Sequence, residues 1–344
     1  MIRTRSLTKD FTPSRGRTVH AVRGISLDVA PGELVAVLGP NGAGKTTTMR
    51  MLTTLIAPTS GSATVAGHDV VAAAAQVRRR IGYVGQGNGA AHQQRVVDEL
   101  NSQGAIYGLD RRAARRRAGE LLEALDLGEL GARKVSDLSG GQRRRLDVAM
   151  GLVHAPSLLF LDEPSTGLDP QNRANLWEHI LRMRAEHGMT IVLTTHYLDE
   201  ADSMAERVVV VDHGQVIADD DPEALKSTLA GDRVSATAAD PRGAPALARI
   251  AAGLPGARDV EIDGVHVTAR VKDGPSALPE LVTAAVADGV VVAEAQVHRP
   301  TLDDVFLSLT GRSLRENGVV PANADGSTES STDGTTDGSE EKAA

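Results

Sequence analysis

The chain has 344 residues, 41% of them hydrophobic and 24% charged, enough for two domains with separate cores. It contains no cysteine, which excludes disulfides, thiolate metal sites and cysteine nucleophiles, and no apolar stretch approaches the roughly eighteen residues that a membrane-spanning helix requires. The net charge of −8 is uneven: six acidic residues against Lys342 between Pro321 and Ala344 give −5, leaving −3 for the rest, so charge alone points to no partner.

The first thirty residues carry Arg3, Arg5, Lys9, Arg15 and Arg17 with no apolar run behind them, which reads as no secretory signal. Residues 25–29 alternate as a strand does, and Pro31-Gly32 makes a turn. Residues 33–38 form a short buried strand that runs into Gly39-Pro40-Asn41-Gly42-Ala43-Gly44-Lys45-Thr46. A helix over 46–55 follows, closed by Pro58-Thr59-Ser60-Gly61, with further strands at 63–65 and 81–84. From 96 to 150 the pattern is helical, and Leu121, Leu122, Leu125 and Leu127 recur at helical spacing. The arginines of 111–117 read as the solvated face of that helix; no aromatics interleave with them as a nucleic-acid surface would require, and no nucleic-acid partner is expected.

Strands at 157–161, 190–194 and 208–211 then alternate with a helix at 171–187, which points to a parallel sheet covered by helices. Residues 230–245, rich in Ala, Gly, Asp and Pro, read as a linker. A small second unit follows, with strands at 265–271 and 290–297 and a helix at 302–309. Beyond Asn317 the Ser/Thr/Gly/Asp/Glu composition is too poor in apolar residues to order itself.

Two strings carry the chemistry. Residues 39–46 fit G-x-x-x-x-G-K-[ST]: the glycines let successive N–H groups turn toward phosphate oxygens, Lys45 adds a point charge, and the Thr46 hydroxyl suits Mg²⁺. The apolar run 157–161 delivers Asp162 and Glu163 to the end of a strand, where α/β sheets place ligands. Adjacent strand residues point to opposite sides, so Asp162 is expected to hold Mg²⁺ and Glu163 to polarise the attacking water. About ninety residues after the glycine loop comes Leu138-Ser139-Gly140-Gly141-Gln142. It has no work inside the same cradle, which implies ATP closed between two copies of the chain.

With these motifs in order, the chain resembles the ATP-binding subunit of ABC transporters over about residues 3–225. The resemblance implies a P-loop NTPase (RecA-like) α/β core with an N-terminal antiparallel β subdomain and an α-helical signature subdomain at about 87–150. It further implies ATP and Mg²⁺ as ligands, with ATP against Gly39, Pro40, Asn41, Gly42, Ala43, Gly44, Lys45, Thr46 and Thr47. Ser139, Gly140, Gly141 and Gln142 would meet the phosphate held by the opposite subunit, and Asp169, in Ser165-Thr166-Gly167-Leu168-Asp169, would cross the dimer interface. Gln86 resembles the loop glutamine that senses metal and water, and His196 the histidine that bonds the γ-phosphate. Catalysis would rest on Glu163, His196, Gln86 and Lys45, metal binding on Thr46, Gln86 and Asp162. Phe11, the aromatic residue before the glycine loop, is the candidate for stacking on adenine.

The same resemblance implies a homodimer on the cytoplasmic face of the membrane, docked through about residues 87–108 on a separate permease. Residues 194–202 and 300–311 resemble the daunorubicin-type drug-exporter branch, whose ATPases carry a small C-terminal domain. The expected division is a cassette at 1–228, a C-terminal α/β unit at 229–316 and a disordered acidic tail at 317–344. An importer ATPase is the nearest alternative; a soluble ATPase of this type acting on ribosomes or DNA, and a P-loop kinase or GTPase, are further ones.

Overall fold

The computed structural model describes residues 1–12 and 16–311, so the expected tail at 317–344 and the last residues of the C-terminal unit lie outside the described residues. The chain opens with β1 (Ile2–Phe11), β2 (Val19–Ile25) and β3 (Asp28–Val29), then enters β4 (Leu34–Leu38) and α1 (Lys45–Leu52). β5 (Ser60–Val65), β6 (His68–Asp69) and α2 (Ala74–Arg78) lead to β7 (Ile81–Val84). Three helices follow: α3 (Val96–Ile106), α4 (Arg111–Ala124) and α5 (Gly140–Leu152). Next come β8 (Leu158–Asp162), α6 (Pro170–His187), β9 (Thr190–Thr195), α7 (Leu198–Met204), β10 (Arg207–Asp212), β11 (Gln215–Asp220) and α8 (Pro222–Leu225). The last part is β12 (Asp232–Ala238), α9 (Ala244–Ala252), β13 (Arg258–Asp263), β14 (His266–Val271), α10 (Gly274–Ala287), β15 (Val292–His298) and α11 (Leu302–Thr310).

Among the described residues the strands form three sheets. The central one has the order β11-β10-β4-β9-β8-β7, parallel except for the edge strand β11. β4, β8 and β9 are buried at every residue, as a sheet covered on both faces requires. The period of two sorts their side chains: Leu34, Ala36, Leu38, Leu159 and Leu161 join the core beneath α3–α6, while Val35, Val37, Leu158 and Phe160 join that shared with the N-terminal sheet and α1. The N-terminal sheet is antiparallel, β2-β1-β5-β6 with β3 also on β1.

The stretch expected as a linker is not one. β12 runs through it as an inner strand of an antiparallel sheet, β13-β14-β12-β15. Composition misleads there because alanine, a weak strand signal, serves at Ala236 and Ala238 as the buried alternate that lets α9 and α10 pack closely. A second finding concerns α11. Its Leu302, Val305 and Phe306 are buried in the cassette's core cluster with Leu198, Ala201 and Leu225, not in the core of the C-terminal sheet. The last described helix thus crosses back and straps the C-terminal unit onto the cassette.

Candidate functional site

The site forms where the parallel strands end. β4 runs into the glycine loop, which turns sharply into α1: Gly44 has φ 101°, and a Cβ there would lie 2.5 Å from the Ala21 carbonyl oxygen. The loop is therefore pressed against β2, and only glycine fits. Lys45, the first residue of α1, folds back so that Nζ donates to Gly39 O at 2.7 Å and Pro40 O at 3.1 Å. Burial pushes its pKa below the usual lysine value of 10.5, opposed by the nearby carboxylates of Glu163 and Asp162. Around it lies a cleft of about 460 Å³ lined by Asn41, Gly42, Ala43, Gly44, Lys45, Thr46, Thr47, Gln86 and Glu163, with Val19, His20, Ala21, Arg23 and His213 as the remaining wall.

Asp162 ends β8 directly beneath Thr46. Its Oδ1 accepts from Thr46 Oγ1 at 3.0 Å and from Thr194 Oγ1 at 2.7 Å, and Tyr83 Oη lies 3.4 Å from Oδ2. Gln86 Nε2 reaches Thr46 Oγ1 at 3.4 Å, so the three residues expected to hold a metal share one corner. Glu163 separates from Asp162 by a different route from the strand pleat expected. β8 stops at Asp162, and Glu163 takes a left-handed backbone (φ 49°), a conformation that costs a non-glycine residue ~1–2 kcal/mol. The turn is held by its N–H donating to Thr194 O at 3.0 Å and Thr194 Oγ1 at 3.1 Å. Its carboxylate then meets His196 Nδ1 at 3.3 Å and accepts from Thr166 Oγ1 at 3.3 Å.

His196 owes its place to the residues around it. Thr195 Oγ1 accepts the Tyr197 N–H and donates to Glu200 Oε2, each at 2.9 Å. Glu200, 5% exposed, lies 3.7 Å from Arg173 Nε, and the Arg173 guanidinium stacks 3.7 Å above the Tyr197 ring. The loop carrying His196 is thus anchored to α6.

Ser139–Gln142 and Asp169 do not line this cleft. Ser139 caps α5: its Oγ accepts the Gln142 N–H at 3.3 Å, while Gln142 Oε1 accepts the Ser139 N–H at 3.0 Å. Ser139 and Gly140 are exposed, leaving the helix start open to a ligand from outside. Asp169 caps α6, accepting from Asn172 N at 2.9 Å and Nδ2 at 2.6 Å, and these bonds hold its carboxyl below the usual range. A Cβ on Gly141 would run into the Asn172 side chain, so the two helix starts are locked together. Phe11 is not among the cleft residues; it is 43% exposed with Lys9 Nζ 5.2 Å from its ring, and it is Val19, opposite it on β2, that reaches the wall.

Sequence reasoning missed Arg144. It reads as one of three arginines on a helix, yet it is 6% exposed and clamps the site from behind. Nε donates to Pro164 O at 2.6 Å and Nη1 to Gly85 O at 2.7 Å, joining α5 to the ends of β8 and β7. His213 was missed as well; it lines the wall next to Gly214, whose N–H donates to Ala43 O at 2.9 Å.

The phosphate cradle at one end of the sheet, with a second, outward-facing helix start on the same chain, defines a P-loop ATPase. The model of the ABC transporter family matches residues 22–166, and that of the ATP-binding protein DrrA1-3-like, C-terminal domain, matches 221–310. The daunorubicin resistance ATP-binding protein DrrA2 of Streptomyces coeruleorubidus is 43% identical over 90% of this chain and 95% of its own. The daunorubicin/doxorubicin resistance ATP-binding protein DrrA of Streptomyces peucetius is 40% identical over 90% and 92%. A solved post-hydrolysis dimer of an ATP-binding cassette with ADP and Pi shares the cassette fold (TM-score 0.60, 24% identity, 64% of this chain and 98% of that one). The chain belongs to the ATP-binding subunits of ABC transporters, with a DrrA-like C-terminal domain. It is an ATPase whose hydrolysis is coupled to transport.

Proposed function

We propose that two copies assemble head to tail around two ATP molecules on the cytoplasmic face of the membrane. There they drive a separate permease that exports a drug, antibiotic or other hydrophobic small molecule. The observation that carries the dimer is the placement of Ser139: a capped, exposed helix start with no part in its own chain's cleft. In this reading Lys45 and the loop N–H groups hold the phosphates, Ser139–Gly141 of the other copy close over them, and Asp169 meets the facing subunit. Glu163 takes up the proton of the attacking water, and His196 holds the Glu163 carboxylate and the γ-phosphate in register. The oxygens of Thr46, Asp162 and Gln86 are hard donors of the kind Mg²⁺ takes, and these residues would hold it. Bound there, Mg²⁺ would neutralise charge on the phosphates.

For the permease, a groove of about 360 Å³ lies beside Gln86, lined by Gly85, Gly87, Gly89, Gln103, Tyr107 and Leu55 among others, with Leu55 exposed. Among the described residues no helix is long and apolar enough to cross a membrane, so the membrane-spanning part belongs to another chain in this reading. The cargo rests on the relatives' names, which are those of daunorubicin and doxorubicin resistance proteins. Glu163→Gln tests the central reading: hydrolysis should fall by ~10²–10⁴-fold while ATP binding persists and an ATP-dependent dimer accumulates in analytical ultracentrifugation. Normal turnover, or a strictly monomeric ATP complex, would overturn it.

A further inference from the structure

α9 and α10 cover one face of the C-terminal sheet; the other is polar. Register places Arg270, Arg233 and His298 directly abreast on β14, β12 and β15. Opposed residues of neighbouring strands have Cα atoms about 5 Å apart, and like charges set opposite one another destabilise a sheet. Folding nevertheless puts two arginines side by side here, next to a histidine.

This row floors a cavity of about 420 Å³ that the start of α11 closes from above, with Ser235 and Thr268 beside the arginines and Arg299 on the connecting loop. Among the described residues, Asp304 is the one carboxylate lining it. That carboxylate is already engaged: Oδ2 accepts Thr301 N–H at 2.9 Å and Thr301 Oγ1 at 2.8 Å in the cap of α11. Burial pushes the Asp304 carboxyl up, but these bonds and the charges of Arg233 and Arg270 hold it below the usual range. Outside the cavity, Asp259 lies 3.4 Å from Arg270 Nε. Among the described residues, three arginines and one carboxylate line the cavity, and the two hydroxyls add donors.

We propose that this cavity is a second anion site, distinct from the ATP cleft, which takes a phosphate group from a soluble polyphosphate or a phospholipid headgroup. The planar guanidinium fork of Arg233 suits bidentate contact with phosphate oxygens, Arg270 adds its charge beside it, and Arg299 lines the same cavity from the loop. An occupant would bridge the C-terminal sheet and α11, the helix that straps this sheet to the cassette.

The test uses the full chain carrying Lys45→Ala, which silences the glycine loop. Calorimetry with inorganic pyrophosphate reads the soluble source; co-sedimentation with phosphatidylcholine vesicles, with and without phosphatidylglycerol, reads the headgroup. Saturable binding is expected in one arm, weakened at least tenfold by Arg233→Gln and several-fold by Arg299→Gln. Arg299 lies on a loop outside the sheet, so that variant stays informative if Arg233→Gln misfolds. No saturable binding in either arm, or binding that Arg299→Gln leaves unchanged, overturns the proposal.

Discussion

Glu163 sits at a non-glycine left-handed position, and the strain there aims the carboxylate at His196 rather than along the sheet. Backbone strain and function should therefore separate on substitution. Glu163→Gly is expected to be more stable than Glu163→Ala by ~1 kcal/mol in urea denaturation, although neither hydrolyses ATP, because only glycine relieves the left-handed turn. Lys45 makes a pH prediction. Burial lowers its pKa in the free chain, and polyphosphate would favour the charged form, so nucleotide binding should take up protons between the lowered value and 10.5. Affinity then falls as pH rises through the lowered value. Titration calorimetry in buffers of different ionisation enthalpy should show the uptake, and Lys45→Arg should remove it.

At the scale of elements, α5 and α6 form one unit. Asn172 packs against Gly141 and bonds Asp169, so the helix start that would meet the partner's ATP and the loop expected to cross the interface cannot move separately. Arg144 ties this unit to the carbonyls that end β7 and β8. Losing it leaves buried acceptors unpaired, at ~1–3 kcal/mol each. Arg144→Met should lower stability by that order and slow ATP turnover more than it weakens nucleotide binding. Arg144→Lys should recover little, since an ammonium cannot span both carbonyls. Unchanged kcat in a folded Arg144→Met variant would show that the clamp is structural alone. No pattern in the sequence marks Arg144, because the consecutive Arg143, Arg144 and Arg145 point in different directions around a helix and only the packing of α5 decides which are buried.

Across the whole molecule, the C-terminal sheet has its own core, yet the helix that follows it belongs to the cassette's. Phe306, 1% exposed, is the largest side chain in that contact. Phe306→Ala should cost ~3–5 kcal/mol of local stability, read as faster proteolysis at the junction, while Leu307→Ala, on the exposed side, should be close to neutral. Equal proteolysis of the two variants would show that α11 does not hold the unit in place.

The glycine loop, the Asp162–Glu163 pair and the parallel core are legible in the chain itself, since contiguous residues encode each: a cradle needs its glycines and lysine in one run, and a doubly covered strand needs unbroken apolar stretches. The rest had to wait for packing. Arg144, His213, the row formed by Arg270, Arg233 and His298, and the burial of Phe306 against α7 all join residues far apart along the chain. Local periodicity carries no record of such meetings; strand register and helix docking create them.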